Sequence, residues 1–202
     1  MPPKSRFTKK EIISAALDIT REEGFRAVTA RALGTKLDSS PKVIFGLFTN
    51  MEELQGEVLK AANELYQIYL QEDMAAGKYP PYKASGMAYI RFAKEETELF
   101  KLLFMRTRTK KEAEQPSDEM DEILALIQKN TGLTAEQALY FHLEMWVFVH
   151  GIATMLATSY LELDTETISA MLTDIYMGLK ARFQESEEND GRHQNRKPDE
   201  KI

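Results

Sequence analysis

Between Thr8 and Gln184 the apolar residues recur three and four positions apart almost without a break, and no stretch alternates in the two-residue manner of a half-buried strand. That period restricts the chain to helices packed stripe against stripe. The expected fold class is therefore all-α, with about nine helices. The 202 residues suffice for a core without staples, and the absence of cysteine excludes disulfides, thiolate metal sites and cysteine nucleophiles.

The punctuation divides the pattern unevenly. Thr8 and Glu11 form a capping box that opens a helix over 9–23, with Ile12, Ile13, Ala16 and Leu17 as its apolar side and Gly24 as its stop. Thr29 caps a short helix over 30–37 that buries Ala32, Leu33 and Leu37. Ser39, Ser40 and Pro41 then start a third helix of two turns over 41–47. A longer helix followed by two short ones across a tight turn is the layout of a helix-turn-helix unit.

The rest reads as a larger helical domain. A long helix over 51–73 turns Leu54, Val58, Leu65, Ile68 and Tyr69 inward, and ends near Gly77 and the Pro80-Pro81 pair. Helices are expected over 82–95, 97–106, 117–130, 134–160 and 164–184, with Thr134 and Gln137 as a second capping box. The expected domains are a DNA-binding head over 1–50, a helical body over 51–185 and a disordered polar tail over 186–202.

Net charge divides at the same place. The whole chain carries −6, yet residues 1–50 hold nine Lys or Arg against five acids, a local +4, so the other 152 residues carry −10. A basic head on an acidic body suits one polyanionic partner held at one end. The alternative is a basic arm that only aids solubility.

For a helix-turn-helix, the third helix must present small, polar or basic residues to the major groove and bury its other side. Ser40, Lys42 and Val43 fall on its first turn, beside Pro41, while Ile44 and Phe48 face inward. Thr29 and Arg31, with the arm Lys4, Arg6, Lys9 and Lys10, are placed for phosphates.

These residues resemble a known family. Gly24-Phe25-Arg26-Ala27-Val28-Thr29, Leu33-Gly34, the run from Ser40 to Phe48, and Glu52-Glu53-Leu54 are similar to the N-terminal signature of TetR-type transcriptional regulators over residues 8–56. The resemblance implies a homodimer that binds operator DNA, usually as a repressor, and is released by a small apolar or amphipathic effector. It implies a dimer interface on the last two helices. Its candidates are Phe148, Ile152, Met155 and Ile168, then Leu172, Ile175, Leu179 and Phe183, each with intrachain core as the alternative.

The chain also departs from that pattern. Phe45 replaces the usual tyrosine that contacts phosphate, Leu47 a histidine or aromatic, and Met51 a lysine; Val43 replaces a common threonine, favouring contact with a thymine methyl. Lys42, often a glycine, adds a charge. The competing reading is a helical small-molecule or protein-interaction module with weakened or lost DNA binding.

A pocket in the body would be lined by Met87, Tyr89, Phe92, Phe104 and Met105, and across from them by Ile127, Met145, Trp146 and Val149. Arg106 and His142 would be its polar handles, and ten methionines suit an adaptable cavity. Plain core is the alternative for each residue. His142 and His150 project about 80° apart on one helix, so no metal site is expected, nor any cofactor.

Catalysis is not expected. His142-Leu-Glu-Met-Trp is not a zinc-protease motif, no Gly-x-Ser-x-Gly or Gly-x-x-x-x-Gly-Lys run occurs, and Glu95, Glu96 and Glu98 read as a solvated face. The basic start of the chain lacks a following apolar stretch, and the run over 145–157 falls short of the ~20 residues of a membrane span. A cytoplasmic location without membrane contact is expected.

Overall fold

In the computed structural model, which describes residues 6–107 and 118–194, nine helices and no strand are found. They are α1 (Lys9–Glu23), α2 (Ala30–Lys36), α3 (Lys42–Phe45), α4 (Met51–Ala75), α5 (Pro81–Glu95), α6 (Thr97–Phe104), α7 (Asp118–Thr131), α8 (Ala135–Ala157) and α9 (Thr165–Gln194). The capping signals set most of these starts. Thr8 Oγ1 accepts from the Glu11 amide at 3.2 Å while the Glu11 carboxylate accepts from the Thr8 amide at 2.7 Å. Thr134 and Gln137 repeat that exchange at α8, and Asn50 Oδ1 accepts from the Glu53 amide to open α4.

The head closes because its turns are tight. Gly24 takes φ +82, so α1 stops and a single 3₁₀ turn, Phe25–Ala27, leads into α2. At Gly34 a β-carbon would lie 3.0 Å from the Ser39 carbonyl oxygen and 3.1 Å from Pro41, so only glycine lets the turn into α3 pass this close. α3 is one turn, not the expected two. Pro41 is its N-cap, with Ser40 Oγ reaching only the Lys42 amide at 3.3 Å, and Leu47 and Phe48 follow it in a turn.

α4 joins head to body. Leu54, Val58 and Ala62 are fully buried, but Ile68 is 48% exposed, because it lies off the stripe that continues through Tyr66 and Tyr69. α5 is the body's central helix and packs against α4, α6, α7, α8 and α9. Its Ala84 and Ala88 are fully buried, and Val149 and Leu172 pack beside Gly86 at ordinary contact distance. One hydrophobic cluster runs unbroken from Ile12 and Phe48 in the head through Leu54 and Phe92 to Ile168 and Leu172. A smaller one, around Ile127, Phe141, Met145 and Leu179, joins α7, α8 and α9.

Helix ends differ from expectation where caps are weak. α6 stops at Phe104 and α8 at Ala157, where Ser159 turns to φ +54 and leaves Tyr160 82% exposed. α9 continues to Gln194, past the expected end at 184; the remaining tail residues, 195–202, lie outside the described residues, as do Lys4 and Ser117.

Candidate nucleic-acid interface and effector core

α3 has two unlike sides. Ile44 and Phe48 are buried at 0% and 2%, whereas Ser40, Pro41, Lys42 and Phe45 are exposed. Val43 is half-buried and packs on the core, so it presents less to the outside than its position suggests. Arg31 is exposed at the start of α2, where it lines two open clefts of about 540 and 360 Å³ on either side of that helix. Thr29 Oγ1 accepts from the Ala32 amide at 3.1 Å, which fixes where α2 begins.

Part of the head's positive charge is spent inside the protein. Lys9 Nζ lies 2.8 Å from Glu53 Oε1 and 4.8 Å above the Phe48 ring, so it ties α1 to α4. The Glu53 carboxyl, held by that hydrogen bond and by the Thr49 amide, is lowered to about 2. Lys36 pairs with Glu22 at 2.7 Å and Arg21 with Glu96 at 2.7 Å. Arg31 and Lys42 pair with no carboxylate among the described residues, and Lys42 shares the outer side of α3 with Phe45.

The body's candidate pocket residues divide between the two clusters. Met87, Phe92 and Val149 belong to the first, with Phe104 half-buried against it, while Ile127 and Met145 belong to the second. They are at most 7% exposed, Phe104 aside, and serve here as packing. Tyr66, Tyr89, Phe92, Phe100 and Phe104 meet edge-on or tilted at 4.8–5.9 Å between ring centres. Arg106 is half-buried at the end of α6, Met105 is exposed there, and Trp146 is 44% exposed.

Two tyrosine–histidine pairs clamp α5 to α8. The Tyr82 hydroxyl lies 3.1 Å from His142 Nδ1 and that of Tyr89 2.8 Å from His150 Nδ1. Burial pushes both phenols up and both imidazoles down, so the hydroxyls keep their protons and the rings stay neutral; with the ring proton on Nε2, each hydroxyl donates to Nδ1. Trp146 stacks on His150 at 5.2 Å. Sequence reading missed these pairs, although the tyrosines recur seven apart and the histidines eight, both near two helical turns. His142 is thus a helix-to-helix contact of Tyr82.

The body matches the family described as "Tetracyclin repressor-like, C-terminal domain" over residues 82–176. The chain is also similar to the "Uncharacterized HTH-type transcriptional regulator YobS" of Bacillus subtilis (strain 168), at 22% identity over 177 residues that cover 85% of this chain and 90% of that protein. The matched body stands behind a head of helix-turn-helix layout. The chain thus carries a tetracyclin repressor-like C-terminal domain and is distantly similar, over most of its length, to an HTH-type transcriptional regulator.

The acidic groups beside α6 make ion pairs. Glu96 pairs with Arg21, Glu98 with Lys101 at 2.7 Å and Glu95 with Arg91 at 3.5 Å, so the expected solvated face is a set of ion pairs. The candidate dimer residues are of two kinds. Ile152, Ile168, Leu172 and Leu179 are buried within the chain at 2–8%, and Phe148, Ile175 and Phe183 are half-buried, whereas Met155 is 43% exposed. The uncovered side of α8 instead carries Leu139, Leu143, Trp146 and Val147, with Met155 further along.

That side makes α8 unusual. With 23 residues and a mean hydropathy of 1.2, α8 alone among the described helices is long and apolar enough to cross a membrane by length and composition, which the shorter run over 145–157 did not suggest. Its other side, through Ala138, Phe141, Met145, Val149 and Ile152, packs as a core helix of this domain.

Proposed function

We propose that this regulator binds operator DNA as a homodimer, represses by occupying a promoter, and is released by a small apolar or amphipathic effector held in the body. The observation that carries the DNA reading is the outer side of α3. Lys42 stands there unpaired by any described carboxylate, on a head of charge +4 attached to a body of −10, with Arg31 exposed at the start of α2. Phosphates supply most of the affinity in such a contact, and the acidic body keeps the remainder of the molecule away from them.

A second copy of the chain is the partner that the two-sided apolarity of α8 supports. Leu143, Trp146, Val147 and Met155 lie at helical spacing on its uncovered side, and Met177 of α9 is 57% exposed. Burying them in a symmetric pair removes an apolar strip from water. The effector enters where α5, α6 and α8 meet, around Tyr89, Phe104 and His150, and must displace packed aromatics to do so.

Gel shift on the DNA upstream of the chain's own coding region, across a salt series, tests the reading. Affinity is expected to fall steeply with salt, and Lys42→Ala to lower the slope by about two, one phosphate contact for each protomer. The absence of sequence-selective retention at low salt removes the regulator reading and leaves the helical interaction module. Thermal-shift screening of apolar compounds then reports the effector by mass action.

A further inference from the structure

Phe45 is 52% exposed, and among the described residues of the head it is the only large apolar side chain left this open. It occupies the outer side of α3 with Lys42, three residues before it, while Ile44 and Phe48 anchor the helix from behind. Gly46 beside it has no side chain to shade the ring. A phenyl ring offers a phosphate oxygen no donor, so the ring gains nothing from the position of a backbone contact. The faces of paired bases are covered by stacking. What the major groove does offer an apolar group is the 5-methyl of thymine.

Val43 has the same apolar chemistry, but it is half-buried and engaged with the core. The apolar contact therefore passes to the residue two positions on. We propose that Phe45 is a specificity-determining residue that reads a thymine methyl in each half-site, with Lys42 beside it fixing the phosphate backbone. This rests on the reading of the head as a DNA-binding unit. It makes the substitution of phenylalanine a change of task, from positioning on the backbone to reading a base.

The experiment uses the full-length protein and a duplex pool randomised over two helical turns. Wild type is expected to enrich half-sites with thymine at a fixed position. Replacing that thymine in one half-site by deoxyuridine, which lacks only the methyl, should weaken wild-type binding about fourfold, the worth of one buried methyl. Phe45→Ala should lose both the thymine preference and the response to deoxyuridine, and Phe45→Tyr should keep them. Should Phe45→Ala fail to fold, the deoxyuridine response of wild type and of Phe45→Tyr still decides. Enriched sites at which deoxyuridine binds as well as thymine, or at which Phe45→Ala keeps the preference, overturn the inference while the DNA reading stands. No enrichment by wild type overturns both.

Discussion

Arg21 of α1 and Glu96, the residue between α5 and α6, form a two-pronged ion pair: Arg21 Nε donates to Oε2 at 2.7 Å and Nη2 to Oε1 at 2.9 Å. The hydrogen bonds to Glu96, foremost among several contributions, hold the guanidinium's pKa above its ordinary value. The pair sits where the end of α1 turns at Gly24, whose missing β-carbon would lie 3.3 Å from the Glu98 carboxylate. α6 thereby touches the head on one side. On the other, its Phe100 and Phe104 reach the Tyr89 and His150 rings. The head and the aromatic core of the body share one short helix.

Glu96→Gln keeps the shape of that junction and removes its charge. The expected cost is about 1 kcal/mol, because the pair has good geometry but Arg21 remains partly solvated. Denaturant melts should show the loss, and hydrogen exchange should quicken at the end of α1. A variant with wild-type stability and unchanged exchange would mean that the contact adds nothing to how the head is held.

Lys9 and Lys42 should separate structure from binding. Lys9→Ala removes the partner of Glu53 and is expected to destabilise the head while leaving the salt slope of DNA binding unchanged; Lys42→Ala should do the reverse. Equal loss of slope in both would show that Lys9 leaves Glu53 to meet phosphate. The pair also has a sign in pH. The Glu53 carboxyl lies at about 2 in the folded chain against an ordinary 4.5. Its contribution is therefore complete above about 4.5 and fades as falling pH protonates it towards about 2. Glu53→Gln should be less stable than wild type at neutral pH, with the gap closing over that range.

The parts of the fold that were legible in the sequence are those fixed by local chemistry. Thr8, Thr29 and Thr134 accept from the amides that open their helices, and Gly24 ends α1, whereas the Asn50 cap of α4 and the close turn at Gly34 emerged only in the structure. The direction in which an apolar residue faces was less legible, since period alone does not say whether a stripe meets its own chain. α8 is apolar on both sides, so Ile152 and Met155 looked alike, yet one is buried at 5% and the other is 43% exposed. The same held for charge. Lys9 and Lys42 are both lysines of a basic head, and only the tertiary position of Glu53, forty-four residues on, distinguishes them.

The uncovered side of α8 predicts a separation between assembly and folding. Val147 and Leu143 are 57% and 49% exposed, so Val147→Glu or Leu143→Glu should change the stability of the isolated chain by within about 0.5 kcal/mol. Each places a charge in the proposed dimer contact, and light scattering should report monomers. Leu172→Ala, at a residue 2% exposed, is expected to cost about 2–5 kcal/mol whatever the assembly state. Dimers that survive both glutamates would relocate the contact to another face.

The Tyr89–His150 contact predicts an optical titration. The chain has one tryptophan, Trp146, and it stacks on the His150 ring, so protonation of that imidazole should quench its fluorescence. Burial holds the His150 pKa below the ordinary 6.5, and with the ring proton on Nε2 the Tyr89 hydroxyl donates to Nδ1 and favours the same neutral form. The quenching midpoint is therefore expected below 6.5, and Tyr89→Phe should move it upward. For stability the sign follows: a folded pKa below the unfolded one gives a contribution that is complete above 6.5 and declines as pH falls from there towards the folded value. His150→Gln should abolish the quenching and flatten that decline. A midpoint at or above 6.5 in wild type would show that the ring titrates in water, with the Tyr89 contact too weak to hold it neutral.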